Sequence, residues 1–146
     1  MMSFSIAFSQ ALEMTAYVGI KSQEEQYDYL SIQKISEKLN IPIPSIKKIS
    51  SLLTKNGILR SKTGIYGGLR LAKQPKEITV YDVLMAIEGT GQLFEVHKDF
   101  DTSAFVHQDR VNRWLENSSK VLNQAEEAML TVLKKTSLED IGDMSE

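Results

Sequence analysis

The sequence predicts a mainly α-helical fold interrupted by one small β-hairpin and followed by one long helix. Three observations carry that prediction. Apolar residues recur at helical spacing over most of the chain, and two short alternating runs flank the glycine-rich stretch "GIYGGLRL" at residues 64–71. Between residues 106 and 135, apolar positions repeat in steps of four and three.

From Ser5 to about Ile20, Phe8, Leu12 and Ala16 fall at helical spacing with Ala7, Ala11, Met14 and Val18, predicting a first helix before the polar stretch "KSQEEQYD". Ser31 is a good N-cap for a short second helix whose apolar stripe is Ile32, Ile35 and Leu39. Asn40-Ile41-Pro42 cannot continue it, because proline disfavours helical geometry in the residue before it and lacks the amide the ladder uses. Pro44 suits the first turn of a third helix, with Ile46, Ile49, Leu52 and Leu53 inward until Asn56-Gly57 ends it at a left-handed position.

Ile58–Lys62 and Leu69–Lys73 alternate as strands and pair as a hairpin. Gly64, Gly67 and Gly68 are expected to take positive φ at its tip, with Tyr66 exposed between them. A phosphate-binding loop is ruled out here, since it requires a helix after the glycines and a strand follows instead. Thr79 then caps a helix, Asp82 closes a capping box, and Val80, Val83, Leu84 and Ile87 are its buried face before Glu88-Gly89-Thr90-Gly91. Residues 92–104 read as irregular. The last helix, from about Val106 to Lys135, carries a seam at Val111, Leu115, Ser118, Leu122, Ala125, Met129 and Val132, widened by Trp114, Val121 and Ala128. A face that wide exceeds what a surface helix uses, so Val111, Leu115, Leu122, Ala125, Met129 and Val132 are expected to pair with a second copy of the chain.

The 146 residues suffice for about one domain, and 42% hydrophobic with 25% charged residues describes a folded chain rather than a disordered one. No basic leader precedes an apolar run at the start, so a cytoplasmic location is expected. Cysteine is absent, which removes disulfides, thiol nucleophiles and thiolate-ligated iron–sulfur clusters together. The net charge of −2 hides a partition: residues 34–76 hold ten bases against the single acid Glu37, and the remainder is strongly acidic. Such asymmetry marks the region that meets a polyanion.

Helix, turn, helix and basic hairpin is the order of a winged helix-turn-helix, in which the second helix of the pair enters the major groove and the hairpin reaches the adjacent backbone or minor groove. Ser45, Lys47, Lys48, Ser51 and Lys55 lie off the buried face of the third helix, and the hairpin adds Arg60, Lys62, Thr63, Tyr66 and Arg70. These ten are the expected contacts with double-stranded DNA. Residues 1–90 are thus assigned to the winged domain, 91–105 to a connecting loop, and 106–146 to the dimerisation helix and tail.

The order of elements, Ile35-x-x-Lys38-Leu39, "LLTKNGILRSKTGIYGGLRLAKQPKEIT" (52–79), "VYDVLMAIEG" (80–89), "LFEVHKD" (93–99) and "TSLEDI" (136–141) resemble the Rrf2 family of bacterial transcription regulators. The resemblance implies a winged-helix homodimer with a long crossed dimerisation helix that binds an imperfect palindrome, and a repressor is expected. It also marks departures. Better-known members hold an iron–sulfur cluster on three cysteines after the "AIEG" helix, and Gly89 to Arg113 contains none. The frequent Arg-Gly-Pro-Gly-Gly wing is replaced by Thr63-Gly64-Ile65-Tyr66-Gly67-Gly68. At the start of the recognition helix, lysine stands where a base-reading glutamate is common; a lysine donates to guanine where an acid accepts from cytosine, so altered operator preference is expected.

His97 and His107, the only histidines, match no structural zinc spacing with Asp99, Asp101 or Asp109, and no metal or cofactor is expected. No nucleophile stands at diagnostic spacing from a base, and Glu24-Glu25, Glu126-Glu127 and Glu139-Asp140 read as solvated charge, so an enzyme is not expected. The alternative reading is a protein-interaction module of the same fold that docks on a partner enzyme, with DNA secondary. A small-molecule or protein effector, or histidine and carboxylate chemistry around Phe94 to Asp109, remain open as the route by which a signal enters.

Overall fold

The computed structural model describes residues 6–25, 28–89, 91, 93–97 and 99–142. Two units are formed, residues 1–90 with 133–146 and residues 91–132. In the first, helix α1 (Ile6–Glu25) places Ala11, Met14 and Val18 in the core. It runs one turn beyond the expected Ile20, because Lys21, Glu24 and their neighbours favour helix and Lys21 pairs with Glu24 at 3.4 Å. Ser5, where the helix was expected to begin, lies outside the described residues, as does Thr90.

Helix α2 (Ile32–Leu39) starts at Ser31, whose hydroxyl accepts from the Lys34 amide at 3.1 Å. It stops at Asn40, which takes φ 56°, while the Ile41 amide reaches back to the Ser36 carbonyl at 3.2 Å. That six-to-one closure is a Schellman turn, and the Ser36 hydroxyl reinforces it by donating to the Ile41 carbonyl at 2.6 Å. Helix α3 (Ile43–Lys55) follows at once, so the angle between the two helices is set by residues 36–42. Ile46, Ile49 and Leu53 of α3 are buried with Ile35 of α2 and Met14 of α1. Each such side chain withdrawn from water contributes about 1.5–3 kcal/mol. Leu52, expected inside, is only half-buried, and Ser50 takes an inward place with its hydroxyl donating to the Lys47 carbonyl at 3.0 Å.

Gly57, at φ 76°, turns the chain into strand β1 (Leu59–Lys62), which pairs antiparallel with β2 (Gly68–Leu71). The register runs from Leu59 opposite Leu71 to Lys62 opposite Gly68. A bridge that local sequence did not announce joins Leu30 to Leu69, through amide-to-carbonyl bonds of 2.9 and 2.8 Å in the two directions. The segment before α2 therefore flanks β2 on the side away from β1.

A single 3₁₀ turn, Pro75–Glu77, leads to α4 (Val80–Glu88), whose Thr79 and Asp82 exchange two 3.0 Å bonds as the expected capping box. Val80, Val83, Leu84 and Ala86 are buried; Ile87 is half-buried, and Ala86 takes the inward position. Helix α5 (Gln108–Lys135) begins two residues later than Val106, which is exposed. A short α6 (Leu138–Gly142) was not expected; Ser137 and Asp140 cap it reciprocally at 2.9 and 3.0 Å. Just before it, the Val80 amide bonds the Thr136 carbonyl and the Leu138 amide bonds the Ile78 carbonyl, so residues 136–138 lie along 78–80 within the first unit.

Candidate nucleic-acid interface

Helix α3 is amphipathic in a way that separates packing from charge. Its buried positions are 46, 49, 50 and 53, and Lys47, Lys48, Ser51 and Lys55 are exposed on the remaining faces, with Ser45 half-buried beside them. Pro42 and Pro44 bracket its first residue, leaving Lys47 and Lys48 one turn into the helix.

The hairpin sorts its side chains by the period of two. Leu59 and Leu69 are buried, and Leu71 is half-buried against the core, so Arg60, Lys62 and Arg70 occupy the other face. Arg60 stands directly opposite Arg70. Like charges in that position repel, and among the described residues neither arginine forms an ion pair. An external anion would relieve the repulsion. An open cleft of about 540 Å³ at the hairpin root is lined by Arg60, Ser61, Lys73, Tyr29 and Thr54, whose buried hydroxyl has no hydrogen-bond partner among the described residues. Lys73 was expected on the second strand but lies just past it, and Tyr29 and Thr54 were not singled out from the sequence, since only the folded hairpin brings them beside Arg60.

At the tip, the Gly67 amide donates to the Gly64 carbonyl at 3.0 Å, making Ile65 and Tyr66 the central residues of a four-residue turn. Thr63 is exposed, and Ile65 and Tyr66 are 95% and 85% exposed, so two apolar side chains, not one, project from the wing. Gly64 and Gly68 adopt positive φ as expected, at 103° and 147°. Gly67 does not, and is required for another reason: a Cβ there would lie 2.1 Å from the Lys62 carbonyl oxygen.

The second unit is different in kind. Val111, Leu115, Leu122 and Met129 of the expected seam are half-buried, whereas Ala125 and Val132 are exposed, together with Trp114, Val121 and Ala128. No residue of α5 is buried. Glu126, assigned to solvated charge from sequence, instead accepts from the Leu93 amide and ties the preceding segment to the helix. Phe100 and Phe105 stack with centroids 5.9 Å apart, and the Ser103 hydroxyl and amide hold the exposed Asp101 carboxyl below its ordinary pKa.

A family model described as "Rrf2: Iron-dependent Transcriptional regulator" matches residues 4–144. The chain belongs to the Rrf2 family. The HTH-type transcriptional regulator NsrR of Halalkalibacterium halodurans is 27% identical to this Rrf2 chain over 135 residues, covering 90% of it and 84% of that protein. Other curated relatives are matched over about half their own length, 42%, 52% and 55% in three cases. Among solved structures, CymR (YrzC), described as the global cysteine regulator of B. subtilis, superposes with a TM-score of 0.72 at 23% identity over all of both chains. IscR of T. potens gives 0.70 at 19% identity, covering 99% of this chain and 93% of that one. These two likenesses speak for the fold, a winged helix of the Rrf2 type. The family and its HTH-type relatives make the chain a transcriptional regulator, and nothing among them supports the alternative of an enzyme-docking module.

The iron in the family's description does not fit this Rrf2 member as a thiolate-held cluster. The chain has no cysteine, and among the described residues no three His, Asp or Glu side chains converge on a metal position.

Proposed function

We propose that this Rrf2 regulator binds a palindromic operator as a homodimer, without an iron–sulfur cluster, and acts as a repressor by binding rather than by catalysis. The observation that carries the reading is the concentration of ten bases in residues 34–76, six of which folding gathers on two elements, Lys47, Lys48 and Lys55 on α3 and Arg60, Lys62 and Arg70 on one face of the wing. In this reading α3 enters the major groove: Lys47 and Lys48 donate to guanine O6 and N7 or to phosphate, Ser45 and Ser51 bond either, and Lys55 meets the backbone. Arg60, Lys62, Thr63 and Arg70 engage the adjacent backbone, and the turn carrying Tyr66 reaches the minor groove.

The apolar stripe of α5 supports pairing with a second copy. Its 28 residues span about 42 Å with none buried, an arrangement that leaves Trp114, Val121 and Val132 in water unless another helix covers them. A two-fold dimer presents two α3 helices, and an operator with two-fold symmetry follows. No helix among the described residues is long and apolar enough to cross a membrane, in keeping with action in the cytoplasm.

The test is a mobility-shift titration on a duplex selected by the wild-type protein from a randomised library, repeated across salt concentrations. Log affinity falls with log salt at about −0.9 per phosphate neutralised. Lys47→Ala with Lys48→Ala lowers both affinity and slope; unchanged values remove α3 from the interface.

A further inference from the structure

The Leu30–Leu69 bridge brings to the wing a residue far from it in sequence. Leu30 and Leu69 are both buried, so the flanking residues of the two segments turn to the opposite face. Continuing the antiparallel register sets Tyr29 across from Arg70, which in turn faces Arg60. The side chains confirm the placement: Lys62 Nζ and the Arg70 guanidinium carbon each lie 5.6 Å from the centroid of the Tyr29 ring. Lys62 reaches it from the far strand, and Gly68, its cross-strand partner, has no side chain to intervene.

We propose that Tyr29 is a positioning residue of the DNA interface, its ring holding Lys62 and Arg70 in place for phosphate. The inference rests on the reading of the wing as a DNA-contacting element. Its chemistry is specific to an aromatic ring. A carboxylate in this place would hold both cations but cancel their charge, and an aliphatic side chain would leave both free to sample many rotamers. The face of a ring attracts cations through its quadrupole and leaves their charge available. Ordering long, rotamer-rich side chains opposes binding, and prior ordering on the ring reduces that opposition. Two mutually repelling cations gathered beside one ring also present their charge at a single place, as a backbone phosphate requires.

The experiment compares Tyr29→Leu, Tyr29→Phe and pentafluorophenylalanine at position 29 in the full chain, against Lys62→Ala with Arg70→Ala. The duplex is the one selected by the wild-type protein, and thermal unfolding is recorded for each variant. The ring-lacking Tyr29→Leu binds about three- to tenfold more weakly. Tyr29→Phe keeps the ring and stays within about twofold of wild type. Pentafluorophenylalanine keeps the shape but reverses the quadrupole; it matches Tyr29→Leu in affinity and keeps the wild-type melting midpoint, which decides the matter even if Tyr29→Leu folds poorly. On the Lys62→Ala, Arg70→Ala background, Tyr29→Leu has no further effect. The proposal is overturned if Tyr29→Phe loses as much as Tyr29→Leu, if the fluorinated ring binds as wild type, or if the effects of Tyr29 and the two cations simply add. Should Lys62→Ala with Arg70→Ala itself bind as wild type, the reading of the wing as a DNA contact is what fails, and the role of Tyr29 falls with it.

Discussion

Helices α3 and α5 are both amphipathic, yet only one of them buries its apolar face among the described residues. In α3, thirteen residues supply Ile46, Ile49 and Leu53 to a core that is already closed, and the opposite faces hold lysine. In α5, twenty-eight residues bury none, and Trp114, Val121 and Val132 are more than half exposed. The contrast teaches that an apolar stripe and a charged stripe on a helix ask for different things. A stripe of charge is stable in water, whereas a stripe of apolar side chains this exposed is the kind of surface that marks an interaction site.

The contrast can be broken most severely at α5. Val121→Glu with Val132→Glu places two charges on the exposed stripe, and the expected outcome is a shift from dimer to monomer in sedimentation. Loss of simultaneous engagement of two half-sites then lowers operator affinity by about a hundred- to ten-thousand-fold. A dimer that survives both charges moves the interface off this stripe. Leu53→Ala strikes the finished helix instead, and is expected to lower the unfolding free energy by about 2–5 kcal/mol, read by urea denaturation. That loss should be the same at high and low protein concentration if α3 is complete within one chain.

Lys47→Ala with Lys48→Ala sharpens the comparison from the other side. These side chains are exposed, so the melting midpoint stays within a degree or two while affinity falls about tenfold or more and the salt slope flattens by up to about 3.6 for the four lysines a dimer loses. Thr79→Ala is the smallest change: it removes a hydroxyl that accepts from the Asp82 amide and costs about 1 kcal/mol of stability, with no change in DNA affinity per folded molecule.

Elements with local punctuation were legible before any coordinates. Ser31 as a cap, the Asn40–Pro42 break, Gly57, the hairpin and the Thr79–Asp82 box all act within a few residues of themselves, and each was found where the spacing placed it. Two pairings were not legible because nothing nearby signals them: Leu30 with Leu69, and residues 136–138 with 78–80, are decided by the closed fold. Gly67 shows the same limit. It was expected at positive φ, which it does not adopt; its need for space beside the Lys62 carbonyl depends on where the other strand lies. Among the interface residues, exposure of Lys47, Lys48 and Tyr66 followed from helix and hairpin periods, while Tyr29 reaches the wing only through tertiary pairing.

The contact of Gly68 with the Leu30 carbonyl bears on how such a regulator can be re-engineered. A Cβ at position 68 would sit 2.0 Å from that oxygen, so the hairpin and the segment before α2 accept one another only as a matched pair. A specificity swap that transplants residues 59–71 from a relative would therefore carry a wing without its seat. The transferable cassette is discontinuous, and residues 29–31 belong to it as much as the hairpin does.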